Sequence, residues 1–358
     1  MKKTILPRHG KFDLLVRVLQ WHIQFFLRRT FFPLSCGIYL TNKCNLRCEV
    51  CNISRNPNLM ELSINKVKLI LDDLRQLGCY YVSFCGGEPF LHKDICEILS
   101  YAKQKIPFVH VVTNGSLLTE EVIAKLAATG VDEISVSIDG LEETHDRIRG
   151  EHGAFTKTVA TIKNLKSMAP NVEIGVNTII SSMNLKDLYE LVLLVEALGV
   201  KHKFQPVNSH PPFGNSARET PGCEFSPEEI DELVELVNFL KKRRNVVNSA
   251  YFLSRIPDFF SKRTDKGIFV EPCLLGYHHC EIKEDGALYP CLTGMNWQNG
   301  FSIREKGITA ILSSSEYRKK LEDLKNCRQC KSNMYICYFE PRILFPLKNY
   351  FKFNLLEK

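Results

Sequence analysis

Thr41-Asn42-Lys43-Cys44-Asn45-Leu46-Arg47-Cys48-Glu49-Val50-Cys51 gathers three thiols in one short loop. The apolar stretch Gly37–Thr41 just before it reads as a β-strand, so the loop opens at a strand end. A four-iron cluster usually takes four cysteine ligands. A Cys-x3-Cys-x2-Cys set whose next cysteine is Cys79 therefore implies one iron kept free for an exchangeable ligand. A zinc site, or buried thiols grouped by chance, is the competing reading of so short a motif.

Downstream the chain alternates. Helices are expected at Ser63–Leu77, Lys93–Lys105, Thr119–Thr129, Ala154–Met168 and Leu185–Leu198, and strands at Tyr80–Phe84, Phe108–Thr113, Glu133–Ile138, Val172–Ile180 and Lys203–Val207. Elements of this length in this order imply parallel βα units with right-handed crossovers. Six units are too few to close an eight-stranded barrel, so the fold class is α/β, a partial (β/α)6 TIM-like barrel with its chemistry at the strand C-terminal ends.

The residues at those ends fit this expectation. Strand two ends in Cys85-Gly86-Gly87-Glu88-Pro89, where the glycines allow close backbone approach to a ligand and Glu88 offers an acceptor for an ammonium group. Strand three ends in Thr113-Asn114-Gly115 and strand four in Ser135-Val136-Ser137-Ile138-Asp139-Gly140. The cysteine loop followed by this Gly-Gly-Glu-Pro turn resembles the radical S-adenosylmethionine (SAM) superfamily. The resemblance implies that Cys44, Cys48 and Cys51 hold a [4Fe-4S] cluster whose open iron chelates SAM, reductively cleaved to a 5′-deoxyadenosyl radical. It also implies a SAM pocket lined by Gly86, Gly87, Glu88, Pro89, Asn114, Ser137 and Asp139. One departure is Val50, where that family usually has an aromatic residue. Turn capping is the plainer role for Ser137 and Asp139. Arg149, in His145-Asp146-Arg147-Ile148-Arg149-Gly150, is a candidate partner for the SAM carboxylate or else a solvated charge beside a helix. Asn177 is either a pocket residue or a satisfied buried amide.

A second cysteine set follows a break rich in Pro and Gly over residues 208–225. Beyond it, helices are expected at Pro227–Arg243 and Asn248–Ser261, and Glu284-Asp285-Gly286 reads as the turn of a β-hairpin. Cys273, Gly286, Cys291 and the Cys327-x2-Cys330 pair resemble the SPASM extension or its shorter twitch form. That resemblance implies one auxiliary four-iron cluster on Cys273, Cys291, Cys327 and Cys330, with Cys280, Cys337 and Cys223 as spares or as partial ligands of a second. The later spacing departs from the fuller two-cluster extension, and a zinc knuckle is the alternative. His278 and His279 read as hairpin decoration.

The 358 residues include 14 cysteines, and the formal charge is +7. Cysteines at metal-ligand spacings without a convincing secretory signal point to a reducing cytoplasm. The positive charge sits at the ends. Residues 1–35 carry seven Lys/Arg against one Asp, and residues 341–358 four against one Glu. The body between is close to neutral, which argues against nucleic acid as a partner. From Phe12 to Arg28 the polar positions fall on one narrow stripe of an otherwise apolar helix, too short to span a bilayer. This segment and the run from Arg342 to Phe353 either pack over the barrel or make peripheral contact with the inner face of the membrane.

The expected organisation is a basic amphipathic segment (1–35), the barrel (36–210), linker helices with the auxiliary-cluster extension (211–340) and a basic aromatic tail (341–358). The expected activity is hydrogen abstraction from a small or lipid-linked molecule, with an external electron donor and an oxidation such as that of an alcohol. A maturase acting on a ribosomally made peptide is the alternative, though only 35 residues precede the barrel to recognise one. A non-catalytic iron–sulfur or zinc scaffold, or a redox sensor, is the reading from another class. No residue stands out as the catalytic acid or base.

Overall fold

The computed structural model describes residues 11–28, 30–208, 221–261, 273–295, 298–303, 306–327 and 333–344. Cys330, most of the break at 208–225 and the tail beyond residue 344 lie outside these.

The helices form where the apolar spacing places them, and short polar side chains fix their starts. Ser63 caps α2 (Ile64–Leu77) by accepting from the Lys66 N–H, and α2 buries Val67, Ile70, Leu71 and Leu74. Thr119 caps α4 (Glu120–Ala128) in the same way. α3 (Ile95–Lys105), α6 (Ala154–Met168) and α7 (Leu188–Leu198) complete the crossovers. The strands are β1 (Ser35–Thr41), β2 (Tyr81–Gly86), β3 (Phe108–Thr113), β4 (Glu133–Ser137), β5 (Glu173–Ile180) and β6 (Lys201–Pro206). All pair in parallel in sequence order.

Strand alternation divides their residues between two environments. Cys36, Ile38 and Leu40 of β1, with Val82 and Phe84 of β2, are fully buried in the core that the helices cover. The opposite face of the sheet lines the barrel bore and is polar. There His110 joins Tyr81, Ser83 and Ser135, each with an oxygen 2.8 Å from a ring nitrogen. Glu133 is paired with Lys203. Burial raises the cost of both charges, yet Lys203 and His110 hold Glu133 down at about 2, while burial holds His110 neutral at about 4.

One barrel helix and one strand pairing were not expected from sequence. A helix, α5 (Glu142–Arg149), follows β4 and ends at Gly150 in the left-handed region. The hairpin strand β7 (His279–Ile282), preceded by the short helix α10 (Leu275–His278), pairs in parallel with β1. The sheet order is β6-β5-β4-β3-β2-β1-β7-β8-β9, with β8 (Ala287–Tyr289) and β9 (Phe301–Ser302) antiparallel at the edge. The cysteine-rich extension thus supplies a seventh wall strand to the barrel.

α8 (Pro227–Lys241) starts at a capping box on Ser226, and α9 (Ala250–Phe260) at Ser249. α11 (Ile308–Ser313), α12 (Ser315–Lys325) and α13 (Ile336–Leu344) close the extension. α1 (Lys11–Ile23) continues as a wider π turn over Gln24–Arg28. Its Trp21 is buried and donates to the Tyr277 carbonyl at 3.1 Å, so this side of the helix packs on the body. Among the described residues no helix is long and apolar enough to cross a membrane.

Candidate active site

The cysteine loop is held from three later segments. The Gly87 N–H donates to the Thr41 carbonyl at 2.7 Å and the Glu88 N–H to the Lys43 carbonyl at 2.8 Å. A β-carbon on Gly86 would lie 2.4 Å from the Thr41 oxygen, and one on Gly87 2.0 Å from the Lys43 oxygen. Both glycines are therefore required by the loop backbone pressing on them, a reason that sequence reading had given to a ligand. From β3, Asn114 donates to Asn45 Oδ1 at 2.9 Å, and the Asn45 amide donates to Ser116 Oγ at 2.9 Å. From α5, the Ile148 carbonyl accepts from the Glu49 N–H at 2.8 Å. Gly150, at φ +66°, lies where a β-carbon would meet the Arg47 oxygen at 2.6 Å.

Cys44 and Cys51 are half-buried and Cys48 is buried. Burial pushes the Cys51 thiol up to about 12 and raises Cys44 as well. The Leu46 and Ile53 N–H groups offset part of that cost, for Cys44 and Cys51 in turn, and a cation drawn into the loop offsets more, as iron does when it binds thiolate. Arg149 supplies part of the offset. It is half-buried, and the loss of water works against its charge, but Asp139 and the sulfurs of Cys48 and Cys51 outweigh this and hold the guanidinium above its usual value. Its Nη2 lies 2.6 Å from Asp139 Oδ2 and its Nη1 3.9 Å from Cys48 Sγ. The solvated alternative for Arg149 does not hold.

Glu88 is buried, and burial raises its carboxyl against three hydrogen bonds that favour the charge. Oε1 accepts from Thr113 Oγ1 at 2.8 Å and from the Phe90 N–H at 3.1 Å, while among the described residues Oε2 accepts only from the Asn114 N–H, at 2.8 Å. A carboxylate oxygen accepts two bonds, so Oε2 has capacity for an ammonium. Pro89 is buried at the start of a single 3-10 turn. Asp139 Oδ1 accepts from the Ile179 N–H at 2.9 Å, so this carboxylate positions Arg149 and β5. Ser137 stands beside Asn177 in the β4–β5 register. Asn177 Oδ1 is buried and receives no hydrogen bond among the described residues.

The second cysteine set also converges. Cys273, Cys291 and Cys327 share one apolar cluster with Leu275, Leu324, Tyr335 and Tyr338. The Gly294 N–H donates to Cys291 Sγ at 3.3 Å, and a β-carbon there would lie 3.4 Å from that sulfur and 3.5 Å from Cys327 Sγ. Among the described residues no group of three or more such side chains is arranged for a single metal ion. Cys280 is turned away, fully buried with Cys36 across the β1–β7 register. Cys337 lies near Glu281 and Cys85 in the bore.

Sequence reading passed over Glu281. It reaches from β7 into the bore beneath Gly37, whose missing side chain leaves it room. Tyr338 donates to Glu281 Oε2, as does the Leu292 N–H at 3.2 Å, and Tyr39 donates to Oε1 at 3.5 Å. Burial nevertheless pushes its carboxyl from 4.5 up to about 7. A single Glu in the buried run His279-Cys280-Glu281-Ile282 was the available signal. His279 also turns into the protein, its Nδ1 2.8 Å from Ser35 Oγ.

Between pH 4.5 and 7 the unfolded chain gives up this proton while the folded chain keeps it. Stability therefore falls as pH rises through that window, by about 3 kcal/mol in all. Denaturant unfolding of Glu281→Gln should lack this slope, so that the variant gains on the parent above neutrality. Parallel pH profiles for the two would show that Glu281 titrates normally.

Residues 38–195 match the model of the Radical SAM superfamily, and residues 273–331 that of an iron–sulfur cluster-binding domain, SPASM. The AdoMet-dependent heme synthase of Methanosarcina barkeri is 31% identical over 303 residues, covering 79% of this chain and 83% of that protein. The chain belongs to the radical SAM superfamily. Mycofactocin maturase MftC of Mycolicibacterium smegmatis is 34% identical, covering 84% and 75%. Streptococcus suis SuiB bound to S-adenosylmethionine shares the fold, with a TM-score of 0.66 at 15% identity over 93% of this chain and 80% of that one. This radical SAM protein is accordingly an enzyme that takes a [4Fe-4S] cluster and SAM in its barrel, and its SPASM domain takes auxiliary iron–sulfur chemistry.

Proposed function

We propose that this radical SAM enzyme removes a hydrogen atom from a substrate held in the barrel bore and carries the substrate on to an oxidised product. When bound and reduced, the cluster supplies the electron that cleaves SAM to the 5′-deoxyadenosyl radical. Cys44, Cys48 and Cys51 are its ligands in this reading, with Gly86, Gly87, Glu88, Pro89, Asn114, Ser137, Asp139 and Arg149 building the SAM pocket around them. Glu88 Oε2 takes the methionine ammonium. The remaining buried N–H of Arg149, Nε, has no partner among the described residues and is available to the carboxylate.

Cys273, Cys291 and Cys327, with Cys330 by its place in the sequence, hold one auxiliary cluster. Residues 211–340 form its domain, against a barrel of residues 36–210. Oxidation needs a place for a proton, and Glu281 is the bore carboxyl that gains and loses one near neutrality. The observation that carries this reading is the convergence of the second cysteine set on the barrel wall through β7. In this reading a one-electron acceptor and a proton acceptor share the same strand connection.

The substrate class is a small or lipid-linked molecule, approached at the cytoplasmic face of the membrane, with an external protein as electron donor. A maturase acting on a ribosomally made peptide is the second reading, favoured by the likeness to a protein named as a maturase.

Anaerobic reconstitution with iron and sulfide, then reduction with SAM and chromatography for 5′-deoxyadenosine, tests the core of the proposal. The parent chain is expected to form it and Cys44→Ala/Cys48→Ala/Cys51→Ala to form none. Failure of a fully reconstituted parent chain would leave the scaffold or sensor in its place.

A further inference from the structure

α1 is apolar on two sides. The inner side is taken up by Trp21 and by Phe25, stacked on it at 4.7 Å. The outer side carries Leu19, Ile23, Phe26 and Leu27, spaced to share one helical arc, and they are 44%, 51%, 57% and 78% exposed. Single exposed leucines need no explanation, but a row of four large side chains does. The segment that carries the row is also the most basic of the chain, with seven Lys/Arg against one Asp over residues 1–35.

Charge separates the two simplest occupants. A two-fold contact between copies would bring two such basic segments face to face, whereas an anionic bilayer offers the opposite charge. The bilayer also takes an apolar row into its headgroup–acyl boundary while basic residues stay with the phosphates.

We propose that the outer face of α1 is a membrane-docking surface for bilayers bearing anionic phospholipid, seating Leu19, Ile23, Phe26 and Leu27 below the headgroups. It gives residues to the lipid contact of the proposed function and rests on that reading only in expecting an amphiphilic substrate. Docking itself is independent of the reaction.

The full chain and Leu19→Ser/Ile23→Ser/Phe26→Ser/Leu27→Ser are sedimented with vesicles of phosphatidylcholine, alone or with roughly a quarter phosphatidylglycerol. The parent is expected to bind the anionic vesicles at least about tenfold more tightly than either the neutral vesicles or the serine variant does, and less at high salt. Phe26→Trp should shift its emission to the blue on the anionic vesicles alone. 5′-Deoxyadenosine formation without vesicles should be equal in parent and serine variant, so a failed reaction and a failed docking surface are told apart. Equal vesicle binding by parent and variant, or an unshifted Phe26→Trp, overturns the proposal. So does concentration-dependent dimerisation that the serine variant loses, which would assign the face to a second copy.

Discussion

Arg149→Met is expected to destabilise the protein by about 3–5 kcal/mol, because it leaves the Asp139 carboxylate buried without its partner. The two side chains are 13% and 2% exposed, so little solvent screens the loss. Asp139 keeps the Ile179 N–H, but one neutral donor does not replace a charge at 2.6 Å. The measurement is denaturant unfolding of Arg149→Met, Asp139→Asn and the double variant. The double variant should be less destabilised than the two single effects added together, because neutralising Asp139 removes the charge that Arg149→Met strands. Strict additivity would mean that the pair is not a unit. Arg149→Lys keeps the charge and loses the fork, so it should fall between parent and Arg149→Met. The consequence reaches the cluster loop, since the same guanidinium lies 3.9 Å from Cys48 Sγ and the same helix holds the Glu49 N–H.

What could be read from the sequence was whatever is encoded locally. Cys44, Cys48 and Cys51 fall within eight residues, so their spacing states a ligand set before any fold is known. The barrel strands were legible because parallel pairing follows chain order and each helix announces itself by period and cap, as Ser63 and Thr119 do. α5 was not legible. Its eight residues contain one apolar side chain, Ile148, and it is fixed by Gly150 and by burial of His145 and Ile148. β7 is four residues long and finds its partner 244 positions away, between Ser35 and His279. No local pattern encodes such a pairing. Glu281 was missed for the same reason. Its partners Tyr39 and Tyr338 come from 242 and 57 residues away, and only the sheet brings them together. The glycines were found, but the loop backbone packed against them was not foreseen. Sequence shows that a side chain is missing, and the structure shows that the cysteine loop's own backbone fills the space.

Gly87→Ala follows from that contact and should affect catalysis more than stability. The new β-carbon would stand 2.0 Å from the Lys43 carbonyl oxygen and 2.7 Å from its carbon. These are backbone atoms, so no rotamer change relieves the contact. The barrel is braced by the helix-covered core, which this substitution does not touch, whereas the loop is joined to β2 by the two hydrogen bonds from Gly87 and Glu88. The loop is therefore the part that moves, by about an ångström or more, and the first cysteine after Lys43 moves with it. Misplacement on that scale costs roughly 10²-fold in rate where geometry controls reaction. After reconstitution, Gly87→Ala is expected to retain its unfolding midpoint to within a few degrees, to bind less iron at the barrel site and to form about 10²-fold less 5′-deoxyadenosine. Gly175→Ala is the control, since its β-carbon would meet nothing closer than 3.4 Å. If Gly87→Ala bound iron as the parent does and yet lost deoxyadenosine, the glycine would not be there for the loop, and the ligand approach first read from the sequence would stand in its place.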